Sequence, residues 1–216
     1  MIDREHMIES TEEKETGRIE AFSDGVFAIA ITLLVLEIKV PSHETVETAG
    51  LTKALLSLWP SYLAFFSSFL TILVMWVNHH RIFSLIRRSD HAFLYWNGLL
   101  LMFITFVPFP TAVLAEYLLH PEAKAAAIIY ALTFLGIAIV FNRMWKHASS
   151  GGRLLSQTAN MEEVRGITKQ YRFGPPMYIA VLILSFVSVW LSLGLSIFLA
   201  MFFAFRSLPL PRSKNT

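Results

Sequence analysis

Apolar residues in this chain come in long blocks set apart by short polar runs, without the two-residue alternation of a half-buried strand. At 1.5 Å per residue, a helix of about 20 such residues crosses the roughly 30 Å hydrocarbon layer of a bilayer. The first block, residues 21–40, has that length. The second covers 55–77, and its helical pattern continues through HHRIFSLIRR. A third, 93–119, contains Pro108 and Pro110. Each proline removes a backbone donor inside a helix and predicts a kink there. The fourth covers 123–141. The last, 175–205, fits either one long tilted helix or two short ones turning near residues 192–194. Two would each have about 15 residues, below the usual spanning length.

The polar segments decide between these. Residues 1–16 form an acidic tail, with Thr16 a candidate cap for the first helix and Glu20 in its opening turns. Residues 41–53 are loop-like, and 142–173, carrying Gly151 and Gly152, form a larger extramembrane loop with room for a short helix. With six spans, all of the 18 Lys/Arg except Lys39, Lys53 and Lys124 fall on one side. The positive-inside rule makes that side the cytoplasm. A five-span chain would put Arg206, Arg212 and Lys214 outside, so six spans are expected, with both termini cytoplasmic in a multi-pass protein of the cell (inner) membrane. The expected organisation is an N-terminal tail over 1–16, one membrane domain over 17–207 and a C-terminal tail over 208–216.

Composition agrees with an all-α membrane protein. The chain of 216 residues is 55% hydrophobic and 16% charged, where a globular domain has about 45–50% and 25%. The lack of cysteine excludes disulfides, thiolate metal sites and cysteine nucleophiles. There is no phosphate-cradling glycine loop, no zinc motif and no nucleophile with a placed base. An enzyme, a cofactor and a nucleic-acid partner are therefore not expected. Trp59, Tyr62, Trp96, Tyr117, Tyr130, Trp145 and Tyr178 lie near span ends, where interfacial anchoring accounts for them.

Three groups of residues carry candidate chemistry. Arg18 and Asp24 put charge at the entrance of the first span. Arg18 can snorkel to headgroups while Ser23 or Asp24 caps a late-starting helix. Alternatively, the acid faces protein and finds a partner, because charge in hydrocarbon costs several kcal/mol. Trp76, Asn78, His79 and His80, at the same level of span two, are the candidate partners. Adjacent histidines diverge by about 100° on a helix and no further ligand is near, so a hydrogen bond to Ser23 or Asp24 is expected rather than a metal. Third, Ile29, Thr32 or Leu33, and Leu36 share one face of the first helix. Such a face packs on another helix, or lines a pore when copies surround an axis.

Arg18-x-x-x-Phe22-Ser23-Asp24 at the head of span one, with Trp76-x-x-His79-His80 in span two, resembles the transmembrane-protein-175 family of potassium channels. The resemblance implies a homotetramer in which helix one lines the pore and the Phe22-Ser23-Asp24 motif ties that helix to its neighbours. It also implies an apolar constriction at Ile29 and a hydroxyl ring at Thr32 that favours K+. Leu36, two turns further on, would add a second apolar ring. The chain has no Thr-Val-Gly-Tyr-Gly sequence, so side chains rather than a cage of carbonyls would discriminate, and weakly. Other monovalent cations or protons are further candidate permeants, and membrane lipid is the surrounding partner. Glu37 beside Lys39, and Glu116, are candidates for an outer mouth. A secondary transporter or a non-conducting scaffold are the rival expectations.

Overall fold

The computed structural model describes the backbone of residues 2–207 and the side chains of residues 16–205; the expected C-terminal tail and the charges at Arg4, Lys14, Arg206, Arg212 and Lys214 lie outside those limits. The described residues are helical almost throughout. In chain order the helices are α1 (Ile2–Leu33), ending in a 3-10 turn (Leu34–Glu37), α2 (His43–Ala49), α3 (Leu51–Ser57), α4 (Trp59–Phe83), α5 (His91–Phe106), α6 (Pro108–Tyr117), α7 (Ala123–Ser149), α8 (Met161–Arg172), α9 (Gly174–Val187) and α10 (Val189–Ser207). Among the described residues, four stretches are long and apolar enough to cross a membrane: Thr16–Glu37, Trp59–Phe83, His91–Tyr117 and Ala123–Gly152.

Side-chain pairs fix the direction of each helix. Asp24 meets Trp76 while Glu20 meets His80, so α1 and α4 are antiparallel. Ser23 meets Asn97 while Lys39 meets Glu116, so α1 and α5–α6 run the same way. Tyr130 reaches Ser67 and Ser68, and Asn142 lies beside Asn78 at one cavity, which makes α7 parallel to α4. Trp190 stacks on Trp59 and Phe203 shares that cavity, so α10 also follows α4; Tyr178 at the same place sends α9 the opposite way. Successive long helices thus alternate in direction.

Two details show why the helices sit where they do. Gly136 of α7 lies against the Phe103 ring of α5, where a Cβ would come within 2.5 Å of it. At mid-bundle Ser68 bonds Thr111 at 2.7 Å and Tyr130 at 3.1 Å, tying α4, α6 and α7 through hydroxyls that would be costly in lipid.

Several sequence-based boundaries are corrected. Thr16 is not a cap, because α1 already runs through it and its hydroxyl donates to the Arg87 carbonyl. The first helix ends at Leu33 rather than near residue 40, tightening into the 3-10 turn. Residues 41–53 are not a plain loop: Ser42 caps α2 by accepting from the Thr45 N–H, and Gly50 (φ 81) turns the chain into α3. Helix α4 stops at Phe83 instead of continuing through residue 88, and the next residues pair with the long loop, Arg87 N–H donating to the Leu154 carbonyl. The break in the last block is at Ser188, extended at φ −154, not at residues 192–194. Tyr130, Trp145 and Tyr178 are not interfacial anchors but core residues, 1%, 1% and 4% exposed. Trp145 donates to Thr168 of α8.

The end of the bundle that holds Asn78 carries most of the polar clasps. Asp90 caps α5 through the Phe93 N–H and takes His147 of α7 at 2.9 Å and Arg153 at 3.5 Å. Partial burial alone would push the Asp90 carboxyl up, but the Phe93 amide, the His147 ring and the Arg153 charge outweigh it and hold it below its usual value. Helix α8 lies across the same end, its buried Val164, Ile167 and Tyr171 facing the bundle.

Candidate functional site

Helix α1 has two unlike faces. Ser23, Phe27 and Ala30, spaced i, i+4 and i+7, are all 0% exposed on the side that packs on α4 and α5, and Leu34 of the following 3-10 turn, which packs on α4 and α6, is 0% exposed as well. Phe22, Ile29, Leu33 and Leu36 on the other face are 67%, 58%, 41% and 68% exposed. Gly25 and Thr32 are exposed among them. Only 22% of the apolar stretch of α1 is buried, against 56% for that of α7.

Behind this open face, a chain of hydrogen bonds anchors α1. The Ser23 hydroxyl donates to the Ile19 carbonyl at 2.8 Å and accepts the Asn97 amide at 2.9 Å. With its NH2 spent on Ser23, Asn97 turns Oδ1 to His79 Nε2 at 3.0 Å, so Nε2 must carry the proton. That leaves His79 Nδ1 as an acceptor with no hydrogen-bond partner among the described residues. Phe27 and Phe83 flank the His79 ring at centroid distances of 5.3 and 4.4 Å and fix its plane.

A second row lies nearer the surface. The Trp76 indole donates to Asp24 Oδ1 at 2.9 Å, and His80 Nδ1 meets Glu20 at 2.8 Å, with the Trp76 and His80 rings stacked. Residues one helical turn apart on α4 therefore meet residues one turn apart on α1, as an antiparallel pair allows.

Of the residues expected to meet, the structure joins Asp24 with Trp76, and Ser23 with His79 through Asn97. Asn78 goes elsewhere: its amide donates to the Val74 carbonyl and its Oδ1 accepts the Tyr171 hydroxyl of α8 at 3.2 Å. Burial pushes the Tyr171 phenol far above its ordinary range, so it remains a donor. Arg18 and Phe22 are both exposed, and Arg18 makes no hydrogen bond or ion pair with any described residue. Lys39 meets Glu116 of α6 at 3.4 Å, two largely exposed groups for which little stabilisation is expected. Sequence reasoning missed Asn97 and Glu20 as partners. A lone asparagine within HAFLYWNGLLLMFITF was the available signal for the first, since an amide in an apolar helix needs a partner.

Thr32 is the one hydroxyl on the open face below Ile29. Its proton goes to the Ile29 carbonyl at 2.9 Å, leaving the exposed oxygen free to accept. The face thus offers an apolar level at Ile29, an acceptor level at Thr32 and another apolar level at Leu36.

Residues 18–108 match the family model for the endosomal/lysosomal potassium channel TMEM175. The chain is 70% identical to a potassium channel of Chamaesiphon minutus, over 93% of this chain and 99% of that one. It is 43% identical to a potassium channel of Streptomyces collinus, over 91% and 95%. The human endosomal/lysosomal proton channel TMEM175 is 33% identical over 61% of this chain, which spans only 27% of that protein. Among solved structures, the lysosomal potassium-selective channel TMEM175 homolog from Chamaesiphon minutus superposes with a TM-score of 0.85 at 68% identity, covering 91% of this chain and all of that one.

Proposed function

Because the chain belongs to the TMEM175 family of ion channels, we propose that it is a potassium-permeable channel in which copies of α1 surround a central pore. The observation that carries this is the open face of α1. One helix cannot enclose a pore, but a symmetric ring of copies can, and the proposed ring is a homotetramer. The apolar stripe of Phe22, Ile29, Leu33 and Leu36, with Gly25 permitting close approach, suits convergence on an axis. The Ser23–Asn97–His79 and Asp24–Trp76 bonds, on the far side of the helix, hold that face forward. In this reading Ile29 and Leu36 are the constrictions and Thr32 supplies the ring that prefers K+.

The same proposal has six membrane crossings, with α9 and α10 as the fifth and sixth. Their opposite directions and the alternation of the four longer spans support it. Both termini and residues 142–173 then lie in the cytoplasm of a cell membrane protein, as the Lys/Arg distribution requires. A Ser150→Cys variant, in a chain otherwise free of cysteine, should react with an impermeant maleimide only from the cytoplasmic side; labelling from outside would eliminate this topology.

Recording from the purified protein in planar bilayers tests the function itself. Unitary current steps carried by K+ are expected, whereas slow saturable flux would mark a transporter and silence a scaffold. Selectivity has its own check at Thr32. The hydroxyl oxygens of a Thr32 ring can replace part of the hydration shell of K+, which sheds water more readily than Na+. Thr32→Ala should move the bi-ionic K+/Na+ reversal potential toward zero; an unchanged potential would place discrimination elsewhere.

A further inference from the structure

We propose that α8 is a binding surface for the headgroups of anionic phospholipids. The helix is amphipathic: Val164, Ile167 and Tyr171 are buried, and Arg165, Lys169 and Arg172, spaced i, i+4 and i+7, form an exposed stripe roughly opposite them. None of these three cations forms an ion pair or side-chain hydrogen bond with a described residue. The acids on α8 leave the stripe net positive. Glu163 is engaged by Arg81 of α4 at 3.1 Å, and Glu162 lies in the first turn, where it complements the helix dipole. Exposed Lys146 of α7 adds a further cation at the same end of the bundle, one residue after Trp145, whose indole bonds Thr168.

Depth argues for lipid rather than a soluble anion. Tyr171 bonds Asn78 near the end of α4, and α8 passes into apolar α9 within two residues. The stripe therefore lies at the level where the spanning helices leave the hydrocarbon, in the headgroup layer of the membrane placement proposed above, on which this inference rests. An amphipathic helix with basic residues at that depth attracts anionic lipid, each nearby cation contributing a comparable increment. The surface is also coupled to the anchor of α1, since Tyr171 holds Asn78 and Arg81 holds Glu163 on either side of His79 and His80.

The test is native mass spectrometry of the detergent-purified protein titrated with phosphatidylglycerol and phosphatidylcholine, counting bound lipids. The wild-type chain should retain phosphatidylglycerol about tenfold more tightly. Arg165→Gln/Lys169→Gln/Arg172→Gln should lose that roughly tenfold preference, so that the two lipids bind alike. The charge-matched variant Lys39→Gln/Lys53→Gln/Lys124→Gln, altered at the opposite end, should keep the preference, as should Arg165→Lys/Arg172→Lys. Equal retention by the α8 variant, equal loss in the opposite-end variant, or displacement by inorganic phosphate at the lipid's own concentration would overturn the proposal. No current enters this measurement. A chain that conducts without preferring phosphatidylglycerol refutes this inference alone, and one that prefers it but passes no ions refutes the channel alone.

Discussion

Replacing Ile29 by asparagine is expected to raise resting conductance and reduce K+ preference together. A ring of isoleucines too narrow for a hydrated ion excludes it by dewetting, because nothing on the wall replaces the lost water. Ile29 is 58% exposed in the single chain, with its side chain free of the α4 and α5 interface. Asparagine at that position adds carboxamides to the wall without disturbing Ser23, Phe27 or Ala30 behind it. Water then enters, and hydrated Na+ passes along with K+. Ile29→Leu, which keeps the volume and apolarity, should be nearly silent. Single-channel recording and bi-ionic potentials give both readouts. Unaltered leak and selectivity in Ile29→Asn would mean that this face of α1 packs on a helix rather than on an axis.

The second large effect is expected at Asn97. This residue is 3% exposed and bridges Ser23 and His79, both 0% exposed. Asn97→Leu removes the only side-chain hydrogen bond that His79 makes with a described residue, and the amide bond that Ser23 accepts. Ser23 keeps its bond to the Ile19 carbonyl, but the buried His79 Nε2–H is left without a partner at a cost of about 1–3 kcal/mol, so the folded bundle should melt earlier and α1 should lose its fixed rotation. His79 already has one unsatisfied nitrogen, which concentrates the loss there. In a double-mutant cycle, Asn97→Ala and His79→Ala should be non-additive by about 0.5–3 kcal/mol. Asp24→Ala, which strands the Trp76 indole, is expected to weaken assembly or current in parallel. Additive Asn97 and His79 effects would dissolve the proposed chain of bonds, whatever happens at Asp24.

The parts of this arrangement that were legible in the sequence share a physical reason. Asp24 within an apolar block, and Trp76 and His80 at the matching depth of the next, are costly where they stand, and cost points to pairing. The exposed stripe of α1 could be drawn from spacing alone, because an α-helix has a single period. Asn97 was harder, since one amide among apolar residues does not say which of several helices it faces. The aromatic residues misled for a related reason. Tyr130, Trp145 and Tyr178 stand near block ends in the linear order, yet each finds a partner or a neighbour in the core that only the tertiary structure supplies. Tyr130 reaches two serines of α4, Trp145 reaches Thr168, and Tyr178 stacks near Phe134. The break at Ser188 was displaced from the expected turn because Ser192 is used otherwise: its hydroxyl donates to the Val181 carbonyl of α9 at 3.0 Å.

That contact bears on how the chain is made. Helix α9 has 14 residues and reaches about 21 Å, well short of the hydrocarbon thickness. Alone in lipid it would also present Ser185, which is 1% exposed once its neighbours are in place. Helix α10 alone would show Ser192 and Ser196 to lipid, though they too are buried in the finished fold. With Ser188 as the only residue between them, the two helices hide these hydroxyls against each other and against α4 and α7. A helix that short, with a serine on its surface, is a poor membrane span until its partner is present. On the six-crossing proposal, the pair is then expected to enter the bilayer together as one hairpin packed on α4 and α7.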